Sequence, residues 1–123
     1  MSLTRSTSGH LALVAWPAVI KLEGEDELIY IGSGQAWARD AELHAGRYSE
    51  DDYLLDSRGC KYQLADRGDG VLLPAYTGGE IPLQSFTRLL RAHASAAGQC
   101  CVEKIVTGSV AEGIGLVRSL GDP

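Results

Sequence analysis

The stretch Trp16-Pro17-Ala18-Val19-Ile20-Lys21-Leu22-Glu23-Gly24-Glu25-Asp26-Glu27-Leu28-Ile29-Tyr30-Ile31 constrains the fold of this chain more than any other. Two apolar runs rich in β-branched residues flank a turn, Glu23 to Glu27, in which four of five residues are carboxylates. Such runs form strands that bury a face, while crowded carboxylates repel one another and stay in water. The segment therefore predicts a β-hairpin with a solvated acidic tip. A cation site is the weaker reading of that tip. Glu-Gly-Glu-Asp-Glu lacks the alternating ligand spacing and later bidentate Glu of a calcium loop, and a tight hairpin has no room to wrap an ion. The same holds for Glu50-Asp51-Asp52.

The apolar run from Leu11 to Ile20 is broken by Pro17 and ends at Lys21, well short of the ~20 residues a membrane-spanning helix needs. Arg5 is the only basic residue ahead of it, and no secretory leader is expected. A length of 123 residues suits one domain, long enough to need no disulfide framework. The net charge of −5 repels phosphate backbones and anionic lipid. The eight arginines are dispersed among acids, with only Arg88 and Arg91 sharing a helix turn. Neither a nucleic-acid nor a membrane partner is expected. Three cysteines, two of them adjacent, make no secreted framework and suit a reducing, cytoplasmic compartment.

Residues 1–10 are small and polar and are expected to form a disordered tail, with residues 11–123 a single domain. After the hairpin, Trp37, Ala41 and His44 recur at helical spacing, predicting one helix over Gln35 to Ala45, capped by Ser33 and ended by Gly46. Three strands follow, Tyr53 to Asp56, Cys60 to Ala65 and Val71 to Tyr76, joined by Ser57-Arg58-Gly59 and by a turn at Asp69-Gly70. Pro74 cannot donate to a ladder, so the third strand is expected at an edge or with a bulge there. Thr77-Gly78-Gly79 should then break the sheet. Leu83, Phe86, Leu89, Leu90, His93, Ala94 and Ala97 share one face of the next helix, which Gly98 stops. Val102 to Val106 reads as a short strand. Ser109-Val110-Ala111-Glu112 matches a capping box at the start of a last helix, in which Gly113 and Gly115 imply close packing.

The expected fold is thus α+β. A mostly antiparallel sheet combines the N-terminal hairpin, a three-stranded meander and one short strand, with about three helices on one face.

The motifs that resemble chemistry are each better explained by structure. Gly32-Ser33-Gly34 follows a strand and opens a helix, but Trp37 stands where a dinucleotide fingerprint needs its third glycine. Gly108 to Gly115 lacks the Lys-Ser/Thr of a phosphate loop. Arg67-Gly68-Asp69 belongs to turn chemistry. Alternation on a strand sends Cys100 and Cys101 to opposite faces, one of them inward among Val102, Ile105 and Phe86, so the two cannot chelate one metal. Zinc would need Cys60 and His93 in addition. His93, on the apolar helix face, reads as a core histidine bonded to a carbonyl.

Trp16 to Lys21, Asp26 to Ile31, Leu55-Asp56-Ser57-Arg58-Gly59 and Gln99-Cys100-Cys101-Val102 resemble a family of small proteobacterial proteins classed as a domain of unknown function. The resemblance spans most of the chain after the tail. It implies a cytosolic bacterial protein and supplies no activity, catalytic residue or cofactor. The function expected is that of a non-enzymatic cytosolic interaction or accessory domain, acting beside the edge strand or the last helix on a protein partner or a second copy of itself. The alternative is a small-molecule-binding domain or a thiol-dependent enzyme with Cys101 as nucleophile and His93 as base. No cofactor or metal site is expected.

Overall fold

A computed structural model describes residues 13–66 and 72–121. The expected tail and the turn at Asp69-Gly70, with Arg67-Gly68-Asp69, lie outside the described residues. Five strands, β1 (Ala18–Lys21), β2 (Leu28–Ile31), β3 (Tyr53–Leu55), β4 (Cys60–Asp66) and β5 (Leu72–Glu80), form one antiparallel sheet in the order β2-β1-β3-β4-β5. Four α-helices lie wholly among the described residues: α1 (Gly34–Arg39), α2 (Ala41–Ala45), α3 (Leu83–Ala96) and α4 (Val110–Gly121). The hairpin pairs Ala18 with Ile31 and Lys21 with Leu28, leaving Glu23 to Glu27 exposed. The α+β class stands, and so does the meander.

Four local expectations change. The helix expected over Gln35 to Ala45 is broken at Asp40, whose carboxylate accepts the Leu43 N–H at 3.0 Å and so caps a second, separate helix. The helices cover both faces of the sheet rather than one. Ala18, Ile20, Ile31 and Leu54 pack with Trp37 of α1 and Leu43 of α2, whereas Val19, Leu28 and Leu55 pack with Phe86 and Leu90 of α3 and Ile114 and Val117 of α4. Consecutive residues of β1 and β3 are fully buried, so neither face of these central strands can remain in water.

The strand expected from Val102 to Val106 is absent among the described residues. Cys101 has a left-handed backbone (φ 57°), Val102–Lys104 form a 3₁₀ turn, and Arg91 Nε holds the Ile105 carbonyl at 2.9 Å. Finally, β5 continues through Thr77-Gly78-Gly79. Tyr76 pairs with Tyr62 and Glu80 with Cys60, so three residues stand opposite Lys61, with Gly78 (φ 85°) allowing the bulge. Pro74 does lie on an edge strand, as its missing N–H requires.

Both edge strands begin in the same way. The first residue of each edge strand gives its backbone N–H to an imidazole: Leu28 of β2 to His93 Nδ1 at 2.9 Å, and Leu72 of β5 to His44 Nδ1 at 3.0 Å. His44 Nε2 in turn donates to the Trp37 carbonyl, and Trp37 Nε1 donates to the Leu72 carbonyl. Each imidazole thus takes up one donor at the start of an edge strand.

The termini of α3 and α4 follow their sequence signals. At the end of α3, Gln99 N–H bonds the Ala94 carbonyl and Gly98 N–H (φ 87°) the Ser95 carbonyl, a Schellman motif. At the start of α4, Ser109 Oγ accepts from Glu112 N–H, while the Glu112 carboxylate turns back to Gly108 N–H.

Candidate functional site

The three-residue loop Ser57-Arg58-Gly59 between β3 and β4 is organised by the carboxylate that precedes it. Asp56 is completely buried, yet every face of its carboxylate is occupied. Oδ1 accepts the N–H groups of Arg58 (2.9 Å) and Cys60 (3.0 Å), and Oδ2 accepts the N–H of Ala15 (3.1 Å), the Tyr62 hydroxyl (3.0 Å) and Arg58 Nη2 (3.2 Å). Burial by itself would raise the Asp56 pKa. Hydrogen bonds from Ala15, Cys60, Tyr62 and Arg58 outweigh it and hold the group below its ordinary value. Gly59 (φ 85°) lets the loop close, with its N–H on the Asp56 carbonyl. Ser57 ties the loop to the chain ahead of β1, its N–H on the Ala15 carbonyl and its hydroxyl on the Pro17 carbonyl.

This network makes Arg58 part of the lining of a cavity of about 190 Å³, together with Leu13, Cys60, Tyr62 and Tyr76. The guanidinium is anchored through one nitrogen. Nη2 reaches Asp56, the Tyr62 hydroxyl and the Leu13 carbonyl, and the side chain is otherwise 57% exposed. Nε and Nη1 have no hydrogen-bond partner among the described residues. The rings of Tyr62 and Tyr76 lie 5.6 Å apart, tilted at 48°, and Leu13 and Tyr76 are more than half exposed despite their apolar surface. Desolvation, then the hydrogen bond to Asp56, pushes the Tyr62 pKa up to about 12, so the phenol stays protonated across the physiological range. Burial, then the Asp56 charge, raises the Cys60 pKa and keeps its thiol protonated and weakly nucleophilic.

A wider groove of about 460 Å³ lies on the opposite face of the same strands, with Glu50 and Asp51 along one wall and Tyr53, Lys61 and Gln63 beneath. One of its carboxylates ties the loop to the hairpin turn. Asp52 accepts the N–H groups of Glu23 and Ser49, and a hydrogen bond with Asp51 raises the Glu23 pKa. Among the described residues no group of three or more His, Cys, Asp or Glu side chains is placed to hold a metal ion.

The residues singled out from sequence are not assembled. His93 is buried, its Nδ1 occupied by Leu28 N–H and its Nε2 without a partner, so no hydrogen bond joins it to Cys101. Its partner is an amide N–H rather than the expected carbonyl. Burial, opposed by the charge of Glu27, lowers its pKa. Cys100 and Cys101 are both exposed, correcting the expectation that one lies in the core. That expectation rested on a strand that does not form. Arg88 is exposed, but Arg91 is committed to Ile105.

Sequence reasoning passed over Asp56, Arg58, Tyr62 and Tyr76 as a site. The available signal was an Asp directly after two apolar residues and two positions before Arg58. That is the spacing of a side chain that accepts the N–H two residues on.

A family model described as a protein structure with unknown function, DUF4144, matches residues 16–117. The chain belongs to the DUF4144 family. The matched span contains every residue of the Arg58 cavity except Leu13. This DUF4144 protein is also similar to a solved NMR structure of a protein from Shewanella amazonensis, at 28% identity and a TM-score of 0.64, covering 89% of this chain and 91% of that one. No curated protein matches it. No helix among the described residues is long and apolar enough to cross a membrane.

Proposed function

We propose that this DUF4144 protein is a non-enzymatic interaction module of the cytosol whose binding face lies beside edge strand β5. The observation that carries this reading is the Asp56-anchored Arg58, its Nε and Nη1 without a partner among the described residues, lining a cavity together with the apolar and exposed Leu13 and Tyr76. Apolar surface next to a pre-positioned charge is the usual composition of a recognition patch. A protonated Cys60 and an ionised, fully satisfied Asp56 favour binding over catalysis at this place. Three free thiols suit a reducing compartment.

Site-specific photocrosslinking in the source cells tests the location. A probe replacing Tyr76 is expected to give a discrete adduct, while a probe replacing Val106, exposed elsewhere, gives none. Equal labelling from both positions, or none from Tyr76, overturns the reading.

A further inference from the structure

We infer that the Arg58 cavity receives the carboxy-terminal residue of a partner chain, its free carboxylate on the Arg58 guanidinium and its apolar side chain between Leu13, Tyr62 and Tyr76. This inference rests on the binding face proposed above and names its ligand. Size argues first. Ligand pockets for drug-sized molecules run to about 300–1,000 Å³, and about 190 Å³ corresponds to roughly six water volumes, enough for one residue-sized group and too little for a nucleotide or a large cofactor.

Chemistry argues second. Of the five N–H bonds of a guanidinium, those on Nε and Nη1 have no acceptor among the described residues, whereas all of the contacts to Asp56, Tyr62 and Leu13 fall on Nη2. A charged side chain that lines an apolar cavity and keeps N–H groups without an acceptor among the described residues is complementary to a carboxylate carried on an apolar group. An Asp or Glu side chain brings only methylenes with its carboxylate. A chain end brings the carboxylate and a full apolar side chain on the same carbon.

Preorganisation argues third. Asp56 is fixed by donors from Ala15, Arg58, Cys60 and Tyr62, so the guanidinium is aimed before any ligand arrives and less is lost in ordering it. The same carboxylate partly neutralises Arg58, so modest affinity is expected, with apolar contact contributing alongside charge.

The experiment is an NMR titration of the full ¹⁵N-labelled chain with three probes: acetyl-Gly-Ser-Leu with a free carboxyl end, the same peptide as its amide, and 4-methylpentanoate. The free-acid peptide is expected to shift the amides of Arg58, Cys60, Tyr62 and Tyr76 saturably, to bind at least tenfold more tightly than its amide, and to bind more tightly than 4-methylpentanoate, which carries the same carboxylate and isobutyl group without the main chain. Tyr76→Ser, at a position more than half exposed, should weaken binding several-fold with an unchanged melting temperature; Arg58→Gln should abolish the preference for the acid over the amide. Equal binding of acid and amide overturns carboxylate recognition. Equal binding of 4-methylpentanoate overturns the assignment to a chain end. No shift with any probe overturns the ligand while leaving a Tyr76 crosslink intact, so this inference and the location of the binding face fail separately.

Discussion

Asp56 shows how one residue sets the chemistry of its surroundings. A buried ionised carboxylate is costly unless it is matched by donors, and here three backbone N–H groups, a phenol and a guanidinium match it. The price is a local pKa pattern that reaches its neighbours: Tyr62 is moved up by burial and by Asp56, and Cys60 likewise. The thiols therefore divide by environment. Titration of the folded protein with a disulfide reagent near pH 7.5 should show two fast groups, Cys100 and Cys101, and one slow group, Cys60, which becomes fast on unfolding. Replacing Cys60 by Ser should remove the slow phase alone. Three fast thiols in the folded state would contradict the partial burial of Cys60 beside Tyr62 and Tyr76.

At the scale of elements, two glycines that look alike in the sequence have different reasons. A Cβ built on Gly113 would lie 2.4 Å from Cε2 of Phe86, a ring that is fully buried between α3 and α4, whereas nothing lies within 4 Å of a Cβ on exposed Gly115. The close packing expected of both thus holds for Gly113 and not for Gly115. Gly113→Ala should destabilise the protein by about 1–3 kcal/mol, because overpacking exceeds the gain in helix propensity. Gly115→Ala should stabilise it by about 0.5–1 kcal/mol. Urea unfolding of the two variants decides the matter, and equal effects would show that α4 does not lean on Phe86.

For the molecule as a whole, the buried imidazole at the start of edge strand β2 makes stability depend on pH. His93 accepts Leu28 N–H only while Nδ1 is unprotonated, and its folded pKa lies below the ordinary value of 6.5. The unfolded chain consequently binds the proton first as pH falls. The contribution of His93 is complete above about 6.5 and is lost progressively below it, towards the folded pKa. Asp56, lowered from 3.8, adds a second loss when pH falls below that value, in the same direction. The urea midpoint should therefore fall between pH 7.5 and pH 5.5. His93→Gln, which retains an acceptor but does not titrate, should flatten that fall while lowering stability at pH 7.5. An unchanged slope in the variant would remove His93 from the account.

The hairpin, the Ser33 and Ser109 caps, the Gly98 stop, the Ser57-Arg58-Gly59 turn and the edge position of Pro74 were legible in the sequence, because each is decided by residues within about four positions of one another. The buried runs Ala18-Val19-Ile20 and Leu54-Leu55 also carried, unread, the need for cover on both sheet faces. Only the tertiary structure decided what depends on distant partners. Val102 to Val106 has strand composition, but Arg91 and the helical core hold Ile105, and the nearby β2 edge already gives its first N–H to His93. The Arg58 cavity joins Leu13, the β3–β4 loop and Tyr76 of β5, segments brought together by strand order and by the bonds of one buried carboxylate. Local propensity fixes turns and caps; the burial of a charge and the company it keeps exist only once the chain has folded back on itself.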